Sequence, residues 1–118
     1  MIKTIAFLKR KTGMSQEAFE HYYETRHAPL ILSIAPQICD YRRNFLRTEG
    51  AIVVPGLPAP DFDVVTELWY EDEAAFAAAL AAFTDPVNAQ RIAADEENVF
   101  DRAYTRFYMV RETRSPSR

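Results

Sequence analysis

The sequence predicts an α+β fold in a single domain. Its 118 residues match the usual size of one domain, so a second core is not expected. The hydrophobic fraction of 48% and the charged fraction of 26% are typical of a globular protein. Segments with the two-residue period of strands alternate with segments that have the period of helices. We expect the domain to span residues 1–112, followed by a flexible tail over 113–118.

The first strand is predicted over residues 2–9, where β-branched and aromatic residues partly alternate with polar ones. Gly13 then supplies a turn, Ser15 is a good helix N-cap, and Glu17 places an acid in the first helical turn. Pro29 is expected to kink or interrupt this first helix. Spacings of three and four residues predict one shared helix face, formed by Phe19, Tyr22, Tyr23, Arg26, His27, Leu30, Ile31 and Ile34.

The second strand is predicted within 39–47, where residues 41–46 alternate between two faces, and a loop rich in proline and glycine follows at 48–61. Another strand is predicted within 63–72, before an alanine-rich helix over 74–83. Three further features complete the chain. They are an N-cap at Asp85 followed by Pro86, a short helix through Ile92 and Ala93, and a last strand with Tyr104, Arg106, Tyr108 and Val110 on one face.

The resulting order, β-α-β-β-α-β, is that of a ferredoxin-like domain, with a four-stranded antiparallel sheet and helices on one face. The strand at 63–72 carries apolar residues on both faces, Val64 and Leu68 on one and Val65 and Trp69 on the other. Helices can cover only one of these faces, and soluble monomers rarely expose a large apolar patch. We therefore expect a dimer in which two sheets pack face to face.

Charge and hydropathy exclude several classes of protein. The net charge is −3 and the basic residues are scattered, so no nucleic-acid partner is expected. No apolar run approaches a membrane span and no signal-peptide cleavage pattern is present, so we expect a cytoplasmic protein without a membrane partner. The single cysteine, Cys39, cannot form an intrachain disulfide and is interpreted as a small buried residue.

Four segments, taken together in order and spacing, resemble the EthD family of the dimeric α/β-barrel superfamily. The first is His27-Ala28-Pro29-Leu30, which aromatic residues precede in the first helix. The others are 41–44, 67–70 and the acidic and aromatic segment 95–101. The resemblance implies a homodimeric barrel and, as in characterised relatives, chemistry on small or aromatic organic molecules without a cofactor.

His27 is the candidate catalytic residue, because it lies on the predicted inner face near Pro29 and an imidazole exchanges protons near neutral pH. From the residues alone, a histidine that merely orders the helix end explains its position equally well. The family resemblance favours the functional interpretation. His21 lies on the opposite face from Phe19 and Tyr23 and is expected to be exposed. The two histidines do not share a helix face, so no metal site is expected.

Glu67 interrupts an apolar strand on the face that it shares with Val65 and Trp69, and a carboxylate there needs a partner such as Arg43 or Arg106. A structural ion pair across the dimer seam is favoured over a catalytic acid. Tyrosine hydroxyls can bind a substrate oxygen, and Trp69 is interpreted as cavity lining or core. The candidate substrate-binding residues are Tyr23, Tyr41, Arg43, Glu67, Trp69 and Tyr108.

Three functions remain open. The first is a cofactor-independent lyase or isomerase in which His27 moves a proton on a small cyclic, aromatic or polyketide-like metabolite. The second is a non-catalytic protein that binds a small hydrophobic ligand or supports an oxygenase. A haem-degrading or quinol-oxidising monooxygenase ranks last, because the sequence has no evident set of iron ligands.

Overall fold

A computed structural model describes residues 1–118, and in it the chain forms four strands and four α-helices. A π-helical turn, Tyr23–His27, separates the first two helices, and a 3-10 turn, Arg102–Tyr104, precedes the last strand. In chain order the elements are β1 (Ile2–Leu8), α1 (Gln16–Tyr22), α2 (Ala28–Ile34), β2 (Ile38–Phe45), β3 (Val64–Tyr70), α3 (Glu73–Thr84), α4 (Pro86–Glu96) and β4 (Arg106–Val110).

The four strands form one antiparallel sheet in the order β2-β3-β1-β4. This is the order of a ferredoxin-like α+β domain, so the predicted fold class is confirmed. In the register of the sheet, Ile5 on β1 lies opposite Glu67 on β3 and Tyr108 on β4. These three residues therefore share one face, which we call the outer face, and the helices pack on the other, inner face.

The helices begin where the sequence predicts. The Oγ of Ser15 accepts a hydrogen bond from the backbone N–H of Ala18 at 3.0 Å, which caps α1. Asp85 likewise caps α4 by accepting from the N–H of Asn88 at 3.1 Å. Each cap satisfies a backbone donor that has no partner inside the helix. The predicted helix after Asp85 is longer than expected and continues to Glu96.

Between α1 and α2 the helix does not stop but widens into a π turn. The N–H of Ala28 bonds to the carbonyl of Tyr23, five residues earlier, and Pro29 follows in the first turn of α2. Proline has no N–H to donate, so the predicted interruption occurs next to it. For one residue of the shared helix face in this first helical segment, the prediction is wrong. Arg26 is exposed, because its charged head stays in water while Tyr23 and His27 are buried.

The core lies between the inner face and the helices, in two clusters. The first is built around Phe19, Tyr23 and Phe100, whose rings meet edge to face. The second contains Leu68 and Tyr70 from β3. Burial of these aromatic and aliphatic side chains stabilises the packing of the helices on the sheet.

Two regions lie outside that core. The segment 46–63 forms the predicted loop between β2 and β3, and 111–118 follows β4 without a helix or strand. Cys39 was expected to be buried, and this is wrong. It is exposed on the edge strand β2, where a register irregularity lies between Ile38 and Asp40. None of the helices combines the length and the apolar character that crossing a membrane requires.

Candidate functional site

A cavity of about 300 Å³ lies between the inner face of the sheet and the helices. Its wall is mostly apolar, with contributions from β1, β3, α2, α3 and β4. The polar side chains that reach it come from separate elements. They are Tyr23, His27, Tyr41, Thr66, Glu96, Arg102 and Thr105. An apolar cleft with a few convergent polar groups is the usual form of a small-molecule site.

His27 is buried in this wall, with 4% of its surface exposed. Its Nδ1 lies 2.7 Å from Oδ2 of Asp95, in the last turn of α4. The rings of Tyr23 and Phe100 pack edge-on against the imidazole, each with a centroid distance of 4.9 Å. The π turn, α4 and the segment after α4 thus hold the imidazole on three sides.

Asp95 is itself held in place. The hydroxyl of Tyr22 donates to Oδ1 of Asp95 at 2.8 Å, and the amide of Asn98 donates to the Tyr22 hydroxyl at 3.1 Å. A carboxylate that accepts from Nδ1 selects the tautomer of neutral His27 with the proton on Nδ1. The Nε2 atom of His27 is then unprotonated and can accept a proton.

Burial lowers the pKa of His27 below its ordinary value, although the hydrogen bond and charge of Asp95 act in the opposite direction. The imidazole is therefore mainly neutral at pH 7, which is the form that a general base needs.

Tyr23 and Tyr41 form a chain of hydroxyl groups in the same wall. The Tyr23 hydroxyl lies 2.7 Å from Oγ1 of Thr66 and 3.0 Å from the Tyr41 hydroxyl. Burial raises the pKa of Tyr23 to about 12 and the pKa of Tyr41 well above its ordinary value. Both hydroxyls therefore keep their protons and can donate hydrogen bonds.

Arg43 lies next to this chain but does not line the cavity. Its guanidinium makes two hydrogen bonds to the carboxylate of Glu24, at 2.7 and 2.8 Å, and stacks on the Tyr41 ring with 4.7 Å between Cζ and the ring centroid. The hydrogen bonds from Arg43 lower the pKa of Glu24. Arg43 thus supports the position of Tyr41 from outside the cavity.

Glu67, Trp69 and Tyr108 lie on the outer face of the sheet, away from His27. Arg43 or Arg106 was expected to pair with Glu67, and this prediction is wrong. Oε2 of Glu67 instead lies 2.7 Å from Nζ of Lys3 on β1. Hydrogen bonds from Lys3 and from Asn44 lower the pKa of Glu67.

The same lysine lies over the Trp69 ring, with 4.4 Å between Nζ and the ring centroid. Tyr108 is 51% exposed beside Phe7. Of the seven predicted site residues, the cavity brings together only His27, Tyr23 and Tyr41.

Sequence reasoning missed Asp95, Glu96 and Arg102 as site residues. Nε of Arg102 lies 3.3 Å from Oε1 of Glu96, and burial raises the pKa of Glu96. The sequence nevertheless contained a sign of the two acidic site residues. Three acids, at 95–97, stand at the end of a predicted helix, where the helix dipole disfavours negative charge. His21 is exposed, as predicted, and no group of three or more potential metal-binding side chains occurs.

A model of the EthD domain matches residues 11–103 of the chain. No curated protein matches the sequence.

Solved structures with the same fold have low sequence identity to this chain. SnoaB, a cofactor-independent oxygenase from Streptomyces nogalater, is 15% identical with a TM-score of 0.56, over 97% of this chain and 94% of that one. The hydroxynitrile lyase of Passiflora edulis is 19% identical with a TM-score of 0.58, over 97% and 96%. A dimeric ferredoxin-like protein of unknown function from Thermobifida fusca is 16% identical with a TM-score of 0.50, over 92% and 88%. At these identities the likeness shows the fold alone.

Proposed function

This chain belongs to the EthD family, and from that premise we propose that it is a cofactor-independent lyase or isomerase. Its substrate is a small cyclic, aromatic or polyketide-like molecule. The observation that carries the proposal is the 2.7 Å contact between His27 and Asp95 in the wall of an apolar cavity. A buried histidine oriented by a carboxylate is a common arrangement for a general base.

In the proposed reaction, Nε2 of His27 takes a proton from a carbon next to a carbonyl group. The electron pair of the broken C–H bond moves onto the carbonyl oxygen, where an enolate forms. Tyr23 and Tyr41 keep their hydroxyl protons at neutral pH, and one of these O–H groups can turn toward that oxygen. Donors that are already in place where charge develops lower the barrier.

The size and polarity of the cavity support a small organic substrate. A volume of about 300 Å³ is at the lower end of ligand cavities and suits a molecule of one or two rings. The cofactor-independent oxygenase and the hydroxynitrile lyase with this fold are in keeping with chemistry of this kind.

We also propose that the chain works as a homodimer through the outer face of its sheet. Phe7, Tyr108 and Val110 lie on that face, and all of β4 is exposed in the single chain. An exposed apolar sheet face is the usual sign of a protein interface, and a dimeric protein with this fold occurs in Thermobifida fusca. Glu67 and Trp69 would then lie at the seam between the two subunits.

A binding protein without catalysis is the alternative, since the apolar cavity would also hold a small hydrophobic ligand. Turnover of a benzisoxazole distinguishes the functions, and two benzisoxazoles serve as probes of this protein. Each is a small neutral aromatic molecule whose C3–H proton can be removed by a base, with cleavage of the N–O bond and release of a coloured or ultraviolet-absorbing phenol. Turnover of 5-nitrobenzisoxazole is measured for the wild type, for His27→Ala and for His21→Ala.

The wild type and His21→Ala should turn over the probe equally, because His21 is exposed on the other side of the helix. His27→Ala should lose about 100-fold or more, the usual contribution of a general base. Binding of the probe, seen by saturation-transfer NMR, without turnover above that of free imidazole would overturn the enzymatic proposal in favour of the binding protein. Full turnover by His27→Ala would exclude His27 as the base.

A further inference from the structure

The cavity contains a second group that can exchange protons, on a different element from His27. Glu96, in the last turn of α4, lines the same cavity, and its side chain is only 18% exposed. Asp95, the residue before it, faces His27 instead. Consecutive residues of a helix point in directions about 100° apart, so α4 directs one carboxyl to the histidine and the next into the cavity.

Few charges face Glu96. Arg102 contacts it at 3.3 Å, without a well-formed hydrogen bond, and the same guanidinium lies 3.6 Å from the exposed Glu97. The other titratable groups of the cavity wall are His27, Tyr23 and Tyr41, which are mainly neutral at pH 7. Arg102 is therefore the one cation beside the cavity that favours the ionised form of the Glu96 carboxyl.

Burial, and then the negative charge of Asp95, raise the pKa of Glu96, against the lowering effect of Arg102. The negative end of the α4 dipole lies at the same place and also favours the protonated carboxyl. The pKa of Glu96 is thus raised, as a general acid requires, and the pKa of His27 is lowered, so that the imidazole is free to accept a proton.

We propose that Glu96 is the general acid of this cavity and forms a base and acid pair with His27 on one neutral substrate. This inference rests on the proposed function of His27. Its substrate is an uncharged molecule with an acidified C–H group and, a few bonds away, an oxygen or unsaturated carbon that can accept a proton. An anionic substrate is disfavoured, because the carboxylates of Asp95 and Glu97 are opposed at this end of the cavity by one nearby cation, Arg102.

The step is balanced in protons and electrons. Nε2 of His27 takes the proton of the C–H bond, and the electron pair of that bond forms a new double bond. This new double bond displaces a second electron pair, either from a breaking bond to oxygen or from a double bond that shifts. The displaced pair takes the proton of the Glu96 carboxyl. The step leaves an imidazolium and a carboxylate, and proton transfer between these groups through water at the cavity mouth restores the starting state.

The test compares two probes that need an acid to different degrees. Cleavage of unsubstituted benzisoxazole releases a more basic phenolate than cleavage of 5-nitrobenzisoxazole, so protonation of the departing oxygen assists it more. The variants are Glu96→Gln, which keeps the shape but cannot donate an acidic proton, and Glu97→Gln, a matched control on the neighbouring exposed carboxyl. Circular dichroism and thermal unfolding check that both variants are folded.

Glu96→Gln should lower kcat/KM for benzisoxazole by about tenfold or more beyond its effect on 5-nitrobenzisoxazole, whereas Glu97→Gln should affect neither. Equal effects of Glu96→Gln on both probes, with turnover still dependent on His27, would overturn this inference and leave the proposed function intact. Absence of wild-type turnover would overturn both.

A pH profile separates proton donation from a structural role. Wild-type turnover of benzisoxazole should fall as the pH rises and Glu96 loses its proton. This descending limb of the pH profile should be absent in Glu96→Gln. Arg102→Met should move the limb to higher pH, since it removes the cation that lowers the pKa of Glu96. A limb that stays in place in both variants would contradict the assignment.

Discussion

The imidazole of His27 and the carboxylate of Asp95 are joined by a 2.7 Å contact across 68 residues of sequence. The contact links the π turn to the end of α4 and positions a histidine that is almost fully buried. Tyr22 donates to the other oxygen of Asp95, so α1 and α4 together hold the orientation of the imidazole. A positioned carboxylate of this kind sets both the tautomer and the basicity of the histidine.

Asp95→Asn is expected to lower the pKa of His27 further, because it removes the negative charge and leaves only a neutral amide oxygen to accept from Nδ1. Turnover of 5-nitrobenzisoxazole should fall by about tenfold or more, which corresponds to ~1.4 kcal/mol in the barrier. NMR titration of the imidazole measures the pKa. Tyr22→Phe is the control, since it removes one donor to Asp95 and leaves the contact with His27. A pKa of His27 that rises in Asp95→Asn would contradict the arrangement.

Stability should depend on the protonation of His27. Its pKa in the folded chain is below the ordinary value of 6.5, so the unfolded chain binds the proton more readily. This contribution to the free energy of unfolding is complete above pH 6.5 and decreases as the pH falls through 6.5 toward the folded pKa. Urea unfolding between pH 8 and pH 5 should show a smaller decrease for His27→Gln than for the wild type. His21→Gln should behave like the wild type.

Glu96 has the opposite effect on stability, because its pKa is raised above 4.5 in the folded chain. The contribution of Glu96 is complete below pH 4.5 and decreases as the pH rises through the folded pKa. In the same unfolding series, Glu96→Gln should therefore be stabilised relative to the wild type as the pH rises. A relative loss of stability with rising pH would show that the carboxyl does not hold its proton in the folded chain.

The outer face should control the oligomeric state. Tyr108→Glu introduces a charge on the outer face of the edge strand β4, within the proposed seam, and is expected to produce monomers at low micromolar concentration. Leu32→Glu is the matched control, since Leu32 is an exposed apolar residue on α2, outside the sheet. Light scattering coupled to gel filtration measures the mass. A wild-type monomer at that concentration would refute the dimer.

Phe19 lies at the centre of the buried cluster that contains Tyr23 of the candidate site. It is fully buried, and its ring packs edge to face against Tyr23, Phe45 and Phe100. Phe19→Ala should reduce the free energy of unfolding by about 3–5 kcal/mol, because it leaves a cavity among rigid rings. Ser15→Ala, which removes only the cap of α1, should cost ~1 kcal/mol. Denaturant unfolding compares them, and similar losses for both would place Phe19 outside the cooperative core.

Local signals were sufficient for much of the fold and for part of the site. The caps at Ser15 and Asp85, the helix after Asp72 and the interruption near Pro29 depend on contacts within a few residues, which the sequence contains directly. His27 and Tyr23 were placed together because residues four apart share a helix face. Arg26 satisfied the same spacing and is nevertheless exposed, since periodicity cannot distinguish the edge of a buried face from its centre.

The sequence by itself determined the α+β class, the order of the elements, the two-sided strands and the histidine at the end of the first helical segment. Only the tertiary structure decided the partners. It brought Asp95 to His27 and Glu96 into the cavity, and it paired Glu67 with Lys3 on the far side of the sheet. The physical reason is that secondary structure follows from local conformational preferences and periodicity. Contacts between side chains 64 or 68 residues apart depend instead on strand register and on how the helices pack.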